Sequence, residues 1–122
     1  MIENPKFVPF KIKRDGFPPL TFTGIILSTS NDRIRYGNQQ HRWTTITIYR
    51  TKGNKIIVKT EIQTCWEGET DHVKASSFST ASEVIEFMKG WSGQISSVAQ
   101  SAIEEASKID SEFESVYVEH VD

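Results

Sequence analysis

Polar and apolar positions alternate along the first two thirds of the chain. Along the last third the apolar ones recur at three- and four-residue intervals, a change of period that predicts strands followed by helices. Residues 20–27, Leu-Thr-Phe-Thr-Gly-Ile-Ile-Leu, are rich in β-branched and aromatic side chains and read as the first clear strand. In 43–51, Ile46 and Ile48 fall on one face, and Trp43, Thr45, Thr47 and Tyr49 on the other. The turn Lys52-Gly53-Asn54 leads into a strand over 55–66, so the two read as a hairpin. In its second arm Ile56, Val58, Ile62 and Trp66 share one parity. A turn at 67–69 and a shorter strand over 71–78 complete an antiparallel sheet of about four strands, one face buried and one wetter.

Residues 1–19 carry Pro5, Pro9, Pro18 and Pro19. Proline removes a ladder donor, so this stretch is expected to be irregular, with at most a short edge strand over 7–13. Residues 28–41 are polar and rich in turn formers, and predict a long loop of the kind that often carries function.

The helical period begins at Thr80-Ala81-Ser82-Glu83, a capping box, followed by Val84, Ile85, Phe87 and Met88, with Gly90 placed as a C-terminal cap. A second helix is predicted over 94–109, where Ile95, Val98, Ala99, Ala102, Ile103, Ala106 and Ile109 form an apolar stripe. Residues 115–121 alternate like a last strand. The expected architecture is a single α+β domain over 1–122: sheet over 20–78, two helices over 79–110, and a short C-terminal strand.

With 122 residues and 37% hydrophobic content the chain holds one core. No apolar run approaches the roughly 18–20 residues of a membrane span, so no membrane partner is expected. The start, Met1-Ile2-Glu3-Asn4-Pro5-Lys6, has no apolar segment of a signal peptide. Cys65 is the one cysteine, which excludes a disulfide framework and fits a reducing compartment; the expected location is the cytoplasm of a bacterial cell.

Charge changes the picture more. The net charge is -2, yet residues 1–60 hold eleven basic and three acidic side chains, a balance of +8, while residues 61–122 hold three and thirteen, a balance of -10. A basic half attracts anions even in an acidic protein. The competing reading is that the two halves neutralise each other within one fold.

Catalytic motifs are absent. His41, His72 and His120 lack ligand spacing, and Cys65 has no glycine-rich elbow or helix start to activate it. No G-x-S-x-G, GxGxxG or GxxxxGK[ST] occurs, so neither enzymatic activity nor a cofactor is expected. Binding has a stronger signal. If Ile46, Ile48, Ile56, Val58 and Ile62 face the core, the other face presents Trp43, Tyr49, Lys59 and Lys74. The long loop adds Arg33, Arg35, Tyr36 and Arg42 at its edge. Rings stack on bases, and ammonium and guanidinium groups neutralise phosphate. Threonine–aromatic pairs are also ordinary cross-strand stabilisers, and that alternative stays open.

The order of strands then helices resembles the Whirly-like single-strand-binding regulators in topology, though two helices and a last strand depart from their pattern. The segments Arg42-Trp43-Thr44-Thr45-Ile46-Thr47-Ile48-Tyr49-Arg50-Thr51-Lys52-Gly53-Asn54-Lys55, Trp66-Glu67-Gly68-Glu69 and Glu83-Val84-Ile85-Glu86, together spanning roughly 42–90, look like those of small proteins of bacteria and their phages. Among proteins of this size and layout are the Thoeris anti-defence sponges, which sequester nucleotide-like immune signals without cleaving them; no pocket residue is carried over from them. The resulting expectation is a non-catalytic binder of a small phosphate-bearing, nucleotide-like ligand at Arg33, Arg35, Tyr36, Arg42, Trp43, Tyr49 and Lys59, assembling as a homodimer or higher. The alternatives are a single-stranded nucleic-acid binder and a protein-interaction module using the stripe over 94–109.

Overall fold

The computed structural model describes residues 6–32, 42–64, 71–90 and 93–118. Five strands, β1 (Val8–Arg14), β2 (Phe17–Asn31), β3 (Arg42–Thr51), β4 (Ile56–Thr64) and β5 (His72–Phe78), form an antiparallel sheet in sequential order. The chain is α+β, with five strands where about four were expected. The additional strand is β1, at the place of the short edge strand allowed over 7–13, and β2 starts at Phe17 and runs to Asn31, so 17–19 are not irregular and 28–31 are not loop.

The prolines are accommodated by position. Val8, Phe10 and Ile12 pair with Gly24, Phe22 and Leu20. The peptide groups of an antiparallel strand alternate in direction, so Pro9 faces the unpaired outer edge of β1, and Pro19 faces the side of β2 that β3 does not reach. With Lys11 and Lys13, Pro9 blunts that outer edge against pairing with other chains.

β2 is about 50 Å long at 3.3 Å per residue. Its first half pairs with β1, its second with β3, and the halves meet at Gly24, opposite both Val8 and Thr51. A Cβ at Gly24 would lie 2.5 Å from the Arg50 carbonyl oxygen, so only glycine allows this approach. From there the β1–β2 arm curls over the sheet until its tip reaches β5. Asp15 N–H donates to the Val73 carbonyl at 3.0 Å, Val73 N–H to Asp15 Oδ2 at 3.0 Å, and Arg14 Nη1 to the Ala75 carbonyl at 3.3 Å.

Curling gives the sheet two cores rather than one buried and one wetter face. Inside the curl, Phe10, Ile12, Leu20 and Phe22 of the arm pack on Tyr49, Ile57, Val73 and Ala75. On the opposite face, Ile46, Ile48, Ile56 and Val58 are buried beneath three helices, α1 (Ala81–Met88), α2 (Ser97–Ser107) and α3 (Ser111–Val116). The capping box of α1 forms as its sequence predicts, Thr80 accepting from Glu83 N–H while Glu83 accepts from Thr80 N–H. Its C-cap is Lys89 in an extended conformation, one residue before Gly90, and Lys89 bridges to Ile95.

The apolar stripe of α2 lies on the chain's own sheet: Val98, Ala99, Ala102, Ile103 and Ala106 are all buried. Ile109, the last member of the stripe, falls beyond the helix and is 40% exposed. A third helix replaces the start of the expected C-terminal strand; residues 119–121 lie outside the described residues. Two local signals outweigh the alternation there. Asp110 caps α3 by accepting from Glu112 and Phe113 N–H, and the Phe113 ring is fully buried.

Candidate functional site

The register places Trp43, Thr45, Thr47 and Tyr49 on the face that also carries Lys59 and Gln63, as the alternation predicts. Their surroundings differ from the expected open platform. Tyr49 is 3% exposed, edge-on to Phe10 and Phe22 at centroid distances of 5.0 and 5.1 Å. Its ring fills the inner core and offers no face to a base, because the arm has folded over it. Lys59 Nζ lies 3.0 Å from Glu61 Oε1 and 6.0 Å from the Tyr49 ring centroid. Burial works against the Lys59 ammonium, but the Glu61 hydrogen bond, together with Tyr49 and the Glu61 charge, outweighs it and raises the pKa above the ordinary lysine value. This cation is already neutralised.

Trp43 donates its indole N–H to Gln63 Oε1 at 2.7 Å, and the same oxygen accepts from Thr45 Oγ1. Lys74 pairs opposite Thr60, which puts it on the helix-bearing face and not beside Trp43. Arg42 is placed by its backbone alone, opposite Thr64. Arg33, Arg35 and Tyr36 lie outside the described residues, as do His41, Cys65 and His120. Among the described residues, no group of three or more His, Cys, Asp or Glu side chains is arranged to hold a metal ion.

Other cations of the basic half are spent inside the fold. Arg50 Nε and Nη2 reach Asp110 at 3.0 and 2.8 Å, and Nη2 also reaches Glu112 at 3.0 Å. Burial lowers the Arg50 pKa, but Asp110 and then Glu112 outweigh that effect and raise it. Arg14 turns its guanidinium onto the carbonyls of Pro18 and Ala75.

Among the described residues, Lys11 and Lys13 stand exposed beside shallow grooves along β1, and Lys52 and Lys55 of the β3–β4 turn beside a larger one. Thr51 N–H donates to the Lys55 carbonyl at 2.8 Å, Lys55 N–H to Thr51 Oγ1 at 2.9 Å, and Asn54 N–H to the Thr51 carbonyl at 2.9 Å. Asn54 takes φ +66°, a left-handed conformation that asparagine tolerates. This tight loop sets Lys52 and Lys55 at the rim of a groove of about 560 Å³ between the turn, the β2 arm and the end of β5. Leu20, Phe22 and Ile57 supply apolar lining, and Thr21, Thr23, Thr51 and Ser77 bring hydroxyls. Among the described residues, no carboxylate lines it. Lys52 makes no ion pair among the described residues, and Lys55 Nζ lies 3.0 Å from Ser79 Oγ. Two ammonium groups over an apolar wall suit an anion with a planar apolar body.

The turn's lysines were read in the sequence only as part of a hairpin. One signal did point to them: no acidic residue occurs anywhere between Asp32 and Glu61. Compared with protein families, with curated proteins and with solved structures, the chain matches none of them.

Proposed function

We propose that the protein is a non-catalytic binder of a small phosphate-bearing, nucleotide-like ligand, held in the groove between the β3–β4 turn and the β2 arm. The observation that carries this reading is the lining of that groove, free of acids among the described residues, with Lys52 and Lys55 at its rim and Leu20, Phe22 and Ile57 below. Ammonium groups attract phosphate through charge, and the apolar wall takes the ring system out of water. Sequestration of a signalling nucleotide, as the resemblance to anti-defence sponges implies, needs no more than this. No helix among the described residues is long and apolar enough to cross a membrane. The nucleic-acid reading keeps Trp43 and loses the Tyr49 ring, and the interaction-module reading loses the α2 stripe to the chain's own core.

The test is thermal unfolding and calorimetry with cyclic AMP, ADP and a cyclic dinucleotide, on the wild type and on Lys52→Glu/Lys55→Glu. A ligand bound to the folded state raises the melting temperature by linkage, and the double variant is expected to abolish that rise. A single-stranded oligonucleotide should bind weakly. Were it to bind tightly, with a salt slope of about -0.7 for each of several phosphates, the nucleic-acid reading would replace this one.

A further inference from the structure

Two strand edges border this groove, one on β2 and one on β5. Lys52 N–H reaches the Thr23 carbonyl at 2.7 Å, so Thr23 turns its carbonyl toward the β3 side. Peptide groups alternate along an extended strand, and Thr21 therefore turns its N–H and C=O the same way. β3 ends at Thr51, opposite Gly24, so among the described residues no strand reaches Thr21 on that side. In β5, Val73 turns away from β4 to exchange hydrogen bonds with Asp15, and alternation turns Ser77 outward as well. The arm's tip bonds to Val73 and Ala75 and goes no further along β5. Thr21 and Ser77 both line the 560 Å³ groove, each with a main-chain donor beside an acceptor, and Leu20, Phe22 and Ile57 line the same space.

We infer that the ligand is a nucleoside phosphate whose base bonds edge-on to the main chain of Thr21 and Ser77 while its phosphate meets Lys52 and Lys55. The inference rests on the groove being the phosphate site. A bare polyphosphate satisfies the lysines but leaves the apolar wall and both strand edges in water. A nucleobase carries a donor and an acceptor side by side on its edge, the same pair a peptide group presents.

The experiment compares the four common ribonucleoside diphosphates with inorganic pyrophosphate by calorimetry. Thr21→Pro removes the edge N–H without touching the β1 ladder, as Pro19 already does two residues earlier, and Thr21→Val keeps the N–H while removing the hydroxyl. At least one nucleoside diphosphate is expected to bind about tenfold tighter than pyrophosphate, the worth of one or two hydrogen bonds. Thr21→Pro is expected to lose that advantage and Thr21→Val to keep it. Amide shifts of Thr21 and Ser77 in the wild type, followed by NMR on adding the nucleotide, give a second readout that does not depend on the proline variant folding; both are expected to move. Pyrophosphate binding as tightly as every nucleotide, unmoved Thr21 and Ser77 amides, or a tighter complex with a short oligoglutamate peptide would each overturn the inference. If pyrophosphate binding is then lost in Lys52→Glu/Lys55→Glu, the phosphate reading still stands; no binding of any phosphate overturns both.

Discussion

Arg50 of β3 and Asp110 at the cap of α3, sixty residues apart in sequence, are joined by two hydrogen bonds, Nε to Oδ2 at 3.0 Å and Nη2 to Oδ1 at 2.8 Å. Asp110 also accepts from Glu112 and Phe113 N–H, so one carboxylate both pairs a buried guanidinium and starts a helix. Glu112 extends the network, meeting Arg50 Nη2 and accepting from Ala81 N–H at 2.6 Å. Three elements, β3, α1 and α3, thus depend on charges drawn from opposite halves of the sequence.

Removing one member leaves the others short of a partner. Asp110→Ala leaves the nearly buried Arg50 with Glu112 as its remaining carboxylate and α3 uncapped, and is expected to cost about 2–4 kcal/mol in urea unfolding. Asp110→Asn keeps a capping oxygen and should cost less. If the double variant Arg50→Met/Asp110→Ala proves as damaging as Asp110→Ala, the loss lies in packing and capping and not in an unpaired guanidinium.

Gly24 is the corner on which the arm depends. Gly24→Ala brings a Cβ to 2.5 Å from the Arg50 carbonyl oxygen, and the backbone has to shift to accept it. A loss of about 1–3 kcal/mol is expected, as for other overpacked sites. Hydrogen exchange should also quicken at Asp15 and Val73, where the arm's tip is fastened. Gly53→Ala is the control, because its nearest neighbour would be Thr51 Oγ1 at 3.9 Å, an ordinary contact.

Strand content, the hairpin, the capping box and the face assignments of Ile46 to Tyr49 are legible from sequence because each is local: period, turn chemistry and side-chain parity fix them. The curl is not legible, since it depends on a glycine inside a strand and on Asp15 meeting Val73 across 58 residues. Without the curl, Tyr49 reads as an open platform; with it, Tyr49 is core. The same blindness hides the ion pairs. The charge asymmetry between the halves is plain in the sequence, but only the fold shows that Arg50 spends its charge on Asp110 while Lys52 does not.

Lys59 gives a pH test with a defined sign. Its pKa is raised in the fold by Glu61 and Tyr49 against the burial that opposes it. A raised basic group contributes stability that is fully present below the ordinary lysine pKa of about 10.4 and is lost as pH rises through the folded value. Glu61→Gln is expected to lower the Lys59 pKa, read from its side-chain NMR shifts, and to flatten the decline of stability in that alkaline window. An unmoved Lys59 titration in the variant would show that Glu61 does not hold the ammonium. Tyr117 is raised as well, by burial and then by the Glu104 carboxylate, so its share of any decline above pH 10 is tested separately with Glu104→Gln.

The β3–β4 turn separates folding from binding. Lys52 and Lys55 are exposed, and the turn is closed by the backbone of Lys55, Asn54 and Thr51 rather than by lysine charge. Replacing both lysines with alanine is therefore expected to change stability by no more than about 0.5 kcal/mol, in line with surface substitutions, while removing ligand-induced stabilisation. Asn54 behaves in the opposite manner. Asn54→Val forces a β-branched residue to φ +66° and should cost about 1–2 kcal/mol, whereas Asn54→Gly should be close to neutral. Because the turn's shape sets where both ammonium groups sit, Asn54→Val is expected to weaken nucleotide binding even at temperatures where the variant is fully folded, and calorimetry below its unfolding transition reads this directly. Equal affinity in Asn54→Val and the wild type would mean that the lysines act through loose charge attraction and not through a positioned pair.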